Sequence, residues 1–578
     1  MTHLLRDYSI GLYRVSRGEW SERATEDEAM TSCKMGENPI IRLHMTYIIL
    51  FITILAIVGS ALWSPGSIIL LDYVLTPHAA INWSEPVIFP ILNSLSGLLG
   101  TEIVSKGFFI MILIVGAYLG VLMARWVGDR FGYIRYRSIL GVFGGIFMLI
   151  NPYIYERMMV QPTIALGTFL LGYVIYFLFF AHRIVVAGVF AGLAFIVMPH
   201  ASYMIVLIFA LYVIFSVRSW RSVGYVVLAG LIVLVMNANW ILAPYFGYTN
   251  SVASISSFSS ANLDAFRTQS IDPLDIFSTN ILLYGFWGER YGNHYVNVGF
   301  LSSLWYIAGF FLLLVVAIGY MQLWKYSRKL SLSLLIVGFV SLILGIGIAS
   351  PMTVPLMNWG YEYLPLFSGY REPQKWIGLL MLVEGIGLIV GLGYFLQKSG
   401  KDRILRVSII VILSLLLLTW SPGPLLGYHG QLRTTVYPVS FADLRSEILP
   451  SFSGRILALP WHSYIGCSWI GRPTVSNPIM GLLAPLPVVS SDNIEVSDIL
   501  YSNSQTPQTG DIEQFLKNGD ISLLQNHRFT HIFLMRGCAS STDMETLLRT
   551  IEQSGSLILQ RSENDYMLYQ IPSSSYPR

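Results

Sequence analysis

Charge is scarce in this sequence: Asp, Glu, Lys and Arg make up 12% of its 578 residues, about half the share usual in a soluble domain. With 54% hydrophobic residues and a mean hydropathy of +0.60, that scarcity excludes a soluble enzyme of this size. Three cysteines are too few for a disulfide framework or a four-thiolate zinc site. A net charge of +3 leaves no general nucleic-acid footprint, so nucleic acid is not expected as a partner. HExxH, paired CxxC, GxGxxG after a strand and the Walker loop are all missing, which removes support for zincin, dinucleotide and nucleotide-hydrolysing chemistry. No internal repeat and no signal peptide is visible.

What the sequence does contain is apolar runs. Eleven segments are able, or nearly able, to cross a bilayer: Met45–Trp63, Gly107–Ala124, Ser138–Ile150, Met158–Phe180, Ile184–Met198, Tyr203–Val217, Val223–Ala243, Val298–Met321, Leu330–Ile348, Trp376–Leu396 and Ile404–Trp420. Those starting at Ser138, Ile184 and Tyr203 fall short of the ~20 residues a full span needs, which suits broken or re-entrant helices. The expected architecture is a polytopic α-helical membrane protein of about eleven helices. Residues 1–43 form a polar N-terminal segment, 44–420 the transmembrane domain, and 421–578 a small α/β domain.

Placing the N-terminus in the cytoplasm puts fourteen bases into short inner loops: Arg125, Arg130, Arg135, Arg137, Arg183, Arg218, Arg221, Lys325, Arg328, Lys329, Lys398, Lys401, Arg403 and Arg406. The longer outer loops, 64–106, 244–297 and 351–375, hold most of the carboxylates between helices and few bases. This bias predicts a plasma-membrane protein with an extracytoplasmic C-terminal domain. In that domain Arg455–Leu459 and His531–Met535 read as buried strands, Ile512–Lys517 and Met544–Gln553 as helices, and Ser556–Gln560 with Tyr566–Ile571 as a closing strand pair. Cys467 and Cys538 both lie there and either pair in an oxidising compartment or sit as two buried thiols.

Three outer constellations can carry chemistry. The first loop, with LLDYVLTPH followed by NWSEP, holds Asp72, His78 and Glu85 near the membrane surface. A partly desolvated carboxylate there has its pKa pushed upward, which suits a base acting on a hydroxyl; alternatively Asp72 caps an interfacial helix or solvates a loop end. NPYIYERMMVQ, from Asn151 to Gln161, concentrates Tyr153, Tyr155, Glu156 and Arg157. It can bind a polar head group, tyrosines on sugar faces and Arg157 on a phosphate, or form an aromatic belt with an internal Glu156–Arg157 pair. SGYREPQKW brings Arg371 and Lys375 four residues apart. On a helical start they share a face and can clamp the phosphoryl group of a lipid-linked donor, or they snorkel as anchors. In GFWGERYGNHY, a weaker signal, Trp287, Tyr291 and Tyr295 can line a carbohydrate groove and Glu289, Arg290 and His294 can bind substrate, or the segment is an aromatic-rich loop lying on the membrane. The Pro199–His200 pair reads as structural.

At these residues the chain resembles the GT-C superfamily of integral-membrane glycosyltransferases, in particular arabinofuranosyltransferase-D-like and YfhO-like bacterial membrane proteins. The likeness lies in LLDYVLTPH, NPYIYER, WILAPYF, GYREPQKW and the outer α/β tail. The acidic dipeptide common in that first loop is absent, leaving Asp72 alone. The resemblance implies transfer of a sugar, with inversion, from a polyprenyl-phosphate carrier to an envelope glycan, lipid or protein. Asp72 would be the base, and Arg371, Lys375 and Arg157 would bind the donor phosphate. Glu85 and Glu156 would orient the acceptor or hold an optional divalent cation such as Mg or Mn. The competing classes are a lipid or polysaccharide flippase or transporter, and a non-catalytic envelope-assembly protein on the same scaffold. Glu384 is the one clearly intramembrane charge, whereas ion-coupled carriers usually place several at the midplane.

Overall fold

The structure, a computed structural model, describes residues 39–78, 81–248, 260–291, 302–472, 474–491, 493–496, 499–502, 507–538 and 541–572. The chain divides into two compact units, Met1–Ile48 and Ile49–Arg578. The first contributes the opening turns of helix α1 (Pro39–Trp63), and most of the expected polar N-terminal segment lies outside the described residues. The second holds both the apolar helices and the C-terminal sheet.

Every apolar segment singled out above is helical where described. The protein is a multi-pass membrane protein: among the described residues seven helices are long and apolar enough to cross a bilayer, or up to nine if each of two bent pairs makes one span. Those pairs are Ile134–Ile150 with Pro152–Val160, bent by 47°, and Trp220–Met236 with Ala238–Phe246, bent by 66°. Ile184–Val197 and Ala201–Ser216 remain short, as their lengths predicted. The segment expected to run unbroken from Met158 to Phe180 is instead interrupted at Gln161, between α4 (Pro152–Val160) and α5 (Pro162–Ile175). The cause is local chemistry. Asn151 caps α4 by accepting from the Ile154 N–H at 2.9 Å, after helix α3 (Arg137–Ile150) has ended, and Pro152 and Pro162 each occupy a first helical position, where a missing N–H costs nothing.

Small residues let the helices approach closely. A Cβ on Gly120, in α2 (Thr101–Arg130), would lie 2.3 Å from the Gly144 backbone of α3, and one on Gly319 would overlap the Gly387 carbonyl across two of the long helices. The helix ends sort by charge. Arg125 and Arg130 close α2, while its first turn meets the first loop: Thr101 Oγ1 accepts from Ser67 Oγ at 2.9 Å and Ser105 Oγ from the Ile68 N–H at 3.0 Å. Likewise Lys398 ends the helix Ile377–Lys398, whose other end follows Arg371 and Lys375. At about 1.5 Å per residue these helices separate the basic loops from the acidic first loop by the thickness of a bilayer.

The C-terminal segment forms a mixed five-stranded sheet, ordered β10–β11–β9–β3–β6, from β3 (Arg455–Leu459), β6 (Val488–Val489), β9 (Phe529–Met535), β10 (Ile558–Ser562) and β11 (Tyr566–Gln570). The sequence-predicted strands and helices all appear. Because side chains alternate along a strand, Ile456, Ala458, Phe533 and Met535 face one core and Leu457, Leu459, Ile532 and Leu534 the other. The second core is covered by Pro507–Asn518, Ile521–Asn526 and Ser541–Gln553. The first takes in Ile69 from the outer loop. Cys467 and Cys538 are joined as a disulfide beside it. Strand β1 (Ser67–Ile68) pairs with β2 (Thr434–Thr435), and the Leu71 carbonyl accepts from Ser476 N–H at 2.7 Å. The sheet and the first loop are therefore one packed body.

Candidate functional site

Asp72 lies at the end of this clamped loop. Its own N–H donates to the Val160 carbonyl at 3.1 Å, which ties it to the last turn of α4. Its two carboxylate oxygens accept separately, Oδ2 from Gln161 Nε2 at 2.5 Å and Oδ1 from the Tyr464 hydroxyl at 2.7 Å. Gln161 can reach because it is the one residue between α4 and α5, and Tyr464 arrives from β4 (Tyr464–Ile465). The carboxylate is exposed at an opening and walled by protein on its other sides. Burial in that wall raises its pKa, the Gln161 hydrogen bond lowers it, the Glu372 charge raises it and Tyr464 and Arg371 lower it, with a net upward shift.

Behind Asp72 runs a connected set of charges. Gln161 Oε1 accepts from Arg157 Nη1 at 2.8 Å. Arg157, 0% exposed, also meets Glu156 at 2.8 Å and Glu372 at 3.3 Å. Glu372 is 3.6 Å from Lys375 Nζ, which lies 3.2 Å from His200 Nε2 and donates to the Gly369 carbonyl at 3.3 Å. Burial alone would raise the Glu372 pKa, but Lys375, Arg157 and Arg371 outweigh it and hold the carboxyl well below the usual range. His200 is held well below its ordinary value by burial and by Lys375, so its ring is neutral and Nε2 accepts from the lysine. Arg371 is half-buried, its guanidinium 5.3 Å from the Phe266 ring centroid.

Asp72, Arg157, Glu156, Tyr153, Arg371 and Lys375 are therefore brought together. Tyr153 donates to the Lys375 carbonyl at 3.4 Å and sits under Arg157 at 5.8 Å. Two expectations change in the process. Arg371 and Lys375 do not share an α-helical face: Pro373 starts a new 3-10 turn, and Arg371 closes the one before it. Arg157 is enclosed by two carboxylates, so it aims Gln161 at Asp72 and has no open path to a phosphate. Trp287 contributes to the neighbouring wall, 5.0 Å from Phe266 and clustered with Val160 and Leu71. Glu289 pairs with the Tyr284 hydroxyl, and Arg290 forms an exposed ion pair with Asp264 at 2.7 Å.

His78 and Glu85 lie elsewhere. His78 lines a separate cavity with Arg445, and the Glu85 carbonyl accepts from Asn239 at 3.0 Å. His294 and Tyr295 lie outside the described residues. Among the described residues no three His, Cys, Asp or Glu side chains converge to hold a metal. Glu156 is committed to Arg157, and both Asp72 oxygens face donors, so these residues do not fit a divalent-ion site as arranged. Sequence reasoning missed Tyr464 and His200 as members of this set. Tyr464 is 392 positions from Asp72 and carries no local signal; His200, a lone histidine between apolar helices, was the detectable one.

No family model matches the chain, and no curated protein matches its sequence. Solved structures do. The cryo-EM structure of the arabinofuranosyltransferase AftD from Mycobacteria superposes with a TM-score of 0.60 at 13% identity, over 93% of this chain and 40% of that one. A mutant form of the same enzyme gives 0.57 at 12% identity, over 93% and 42%. The chain thus spans less than half the length of AftD, and the likeness is one of fold. The resemblance read from the first loop and GYREPQKW extends that far: the chain shares its fold with this arabinofuranosyltransferase.

Proposed function

We propose that this protein is a membrane glycosyltransferase using a polyprenyl-phosphate sugar donor, with Asp72 as the base. The observation that carries the reading is the placement of Asp72: an accessible carboxylate of raised pKa, fixed by Gln161 and Tyr464, on the same charged network as Lys375 and Arg371. The acceptor hydroxyl gives its proton to Asp72 as its oxygen attacks the anomeric carbon from the face opposite the phosphate. The bond from that carbon to the phosphate oxygen breaks, the electron pair leaves with the lipid phosphate, and the configuration inverts. Arg371 balances the charge that grows on the leaving oxygen, and the enclosed Lys375 adds its positive charge from behind. Arg157 and Glu372 are positioning residues.

An apolar cleft of about 1030 Å³ supports a lipid-linked donor. It lies between Ser302–Tyr326, Arg328–Ile346 and Ile377–Lys398, and includes Leu342, Leu380 and Val383. Leu380, in its wall, follows Lys375 by about 7 Å of helix rise. The charge sorting along the helices supports an extracytoplasmic position for the charged site.

The test is transfer in proteoliposomes from a radiolabelled polyprenyl-phosphate sugar to crude envelope acceptor. Wild type should release free polyprenyl phosphate in step with product, and Arg371→Ala should lower kcat by about 10²–10³-fold. Translocation of the intact donor without release would instead identify a flippase. A second expectation concerns pH. Asp72 acts as a base only when ionised, so activity should rise with pH through a pKa above the ordinary 3.8. Tyr464→Phe removes a donor that favours the ionised form, so its acid limb should move to higher pH with the plateau retained. A limb that stays put would remove Tyr464 from the site.

A further inference from the structure

A second cavity, of about 520 Å³, lies between α/β tail and first loop, away from Asp72. Its walls are Pro77 and His78 of the loop, Asn93 and Ser94 of the helix Ile88–Leu99, and Arg445 and Pro485 of the tail. Two basic side chains converge there. Arg445 donates from Nη1 to the Ala484 carbonyl at 3.2 Å, while its Nε is enclosed without a hydrogen-bond partner. Arg445 also depresses the His78 pKa, after burial, by repulsion. Among the described residues neither is ion-paired; Glu447, on the same tail helix, is taken by Arg561. An arginine with an enclosed, unpartnered donor beside a histidine, with no counter-ion among the described residues, is the arrangement an anion completes.

The surroundings specify where that anion comes from. The helix Ile88–Leu99 buries Pro90, Leu92 and Ser96 and turns Ile91, Leu95 and Leu98 outward, Leu98 at 80% exposure. Ile81 and Trp83 are exposed just before it. A short apolar helix that turns large aliphatic side chains outward, in a protein that spans a membrane, exposes them where acyl chains can cover them. Asn93, Ser94 and Leu98 of that helix line the cavity.

We infer that this cavity binds the phosphate headgroup of an anionic membrane lipid, with Arg445 and His78 as ligands and the acyl chains along the outward face of Ile88–Leu99. The site is independent of the chemistry at Asp72. Anion binding reverses the repulsion that Arg445 exerts, so both groups carry charge in the complex. Asn93 and Ser94 offer hydrogen bonds to the glycerol or headgroup hydroxyls.

The test is native mass spectrometry of the full chain in detergent, titrated with phosphatidylglycerol, with phosphatidylcholine, or with inorganic phosphate. Phosphatidylglycerol should bind with a preference over phosphatidylcholine, and Arg445→Gln should weaken it by about tenfold or more. His78→Gln, whose native ring makes no hydrogen bond among the described residues, should also weaken it and guards against misfolding of the arginine variant. Arg445→Lys should retain part of the affinity. Equal binding of the two lipids, or indifference to both variants, overturns the site. Displacement of the lipid by inorganic phosphate at equal concentration overturns the lipid as its ligand.

Discussion

Asp72→Asn is expected to lower sugar transfer by about 10²–10⁴-fold while leaving the protein folded, since a positioned general base contributes on that order. The substitution is nearly isosteric, but an amide cannot take the acceptor proton. It also supplies one acceptor oxygen where the carboxylate supplies two, so Gln161 keeps the oxygen while the Tyr464 hydroxyl turns to accept from the amide, and the charge-assisted strength of both bonds is lost. That loss costs about 1 kcal/mol. An opposing effect offsets it. The folded pKa of Asp72 lies above its unfolded value, so its ionisation destabilises the fold as pH rises through that window, and Asn removes the penalty. The measurement is kcat in proteoliposomes alongside thermal unfolding at pH 7. Full activity with normal folding would sink the proposal that Asp72 is the base.

Glu372→Gln is expected to be the most destabilising single change near the site, by about 3–5 kcal/mol, because breaking a buried ion pair strands its partner charges. Glu372 faces Arg157 at 3.3 Å and Lys375 at 3.6 Å, all three enclosed. Arg157 keeps Glu156, so the uncompensated cation is chiefly Lys375. A second substitution, Lys375→Met, should recover part of the loss, and a double-mutant cycle on thermal unfolding would read the coupling. The sign with pH follows from the depressed folded pKa: the contribution is complete above the unfolded value of about 4.5 and fades as pH falls through the folded one. Wild type and Glu372→Gln should therefore converge only in strong acid. Indistinguishable melting at neutral pH would mean that the three charges do not share this enclosure.

Much of this arrangement was legible in the sequence because it depends on local rules. Apolar run length located the helices, and Asn151–Pro152 marked the break that turns α4 inward. Alternating apolar residues located the strands of the tail. Asp72, Arg371 and Lys375 stood out because charge is so rare around them. What failed did so for physical reasons. Spacing four apart implied a common face, but Pro373 resets the backbone between Arg371 and Lys375. Arg157 suggested an anion site; its anions turned out to be Glu156 and Glu372, the second of them 215 positions away. Tyr464 meets Asp72 only because β1 and β2 bring the tail onto the first loop, and a pairing over that distance leaves no periodicity to read.

The clamp between first loop and tail also sets an order of events during synthesis. Asp72 is made early, yet one of its two carboxylate partners belongs to a segment made after the last long apolar helix. Until the ribosome has delivered Tyr464, and the strand carrying it has reached the same side of the bilayer, Asp72 lacks the hydroxyl that favours its ionised form. A nascent chain whose described apolar helices are all inserted still lacks this partner of Asp72 until Tyr464 has followed.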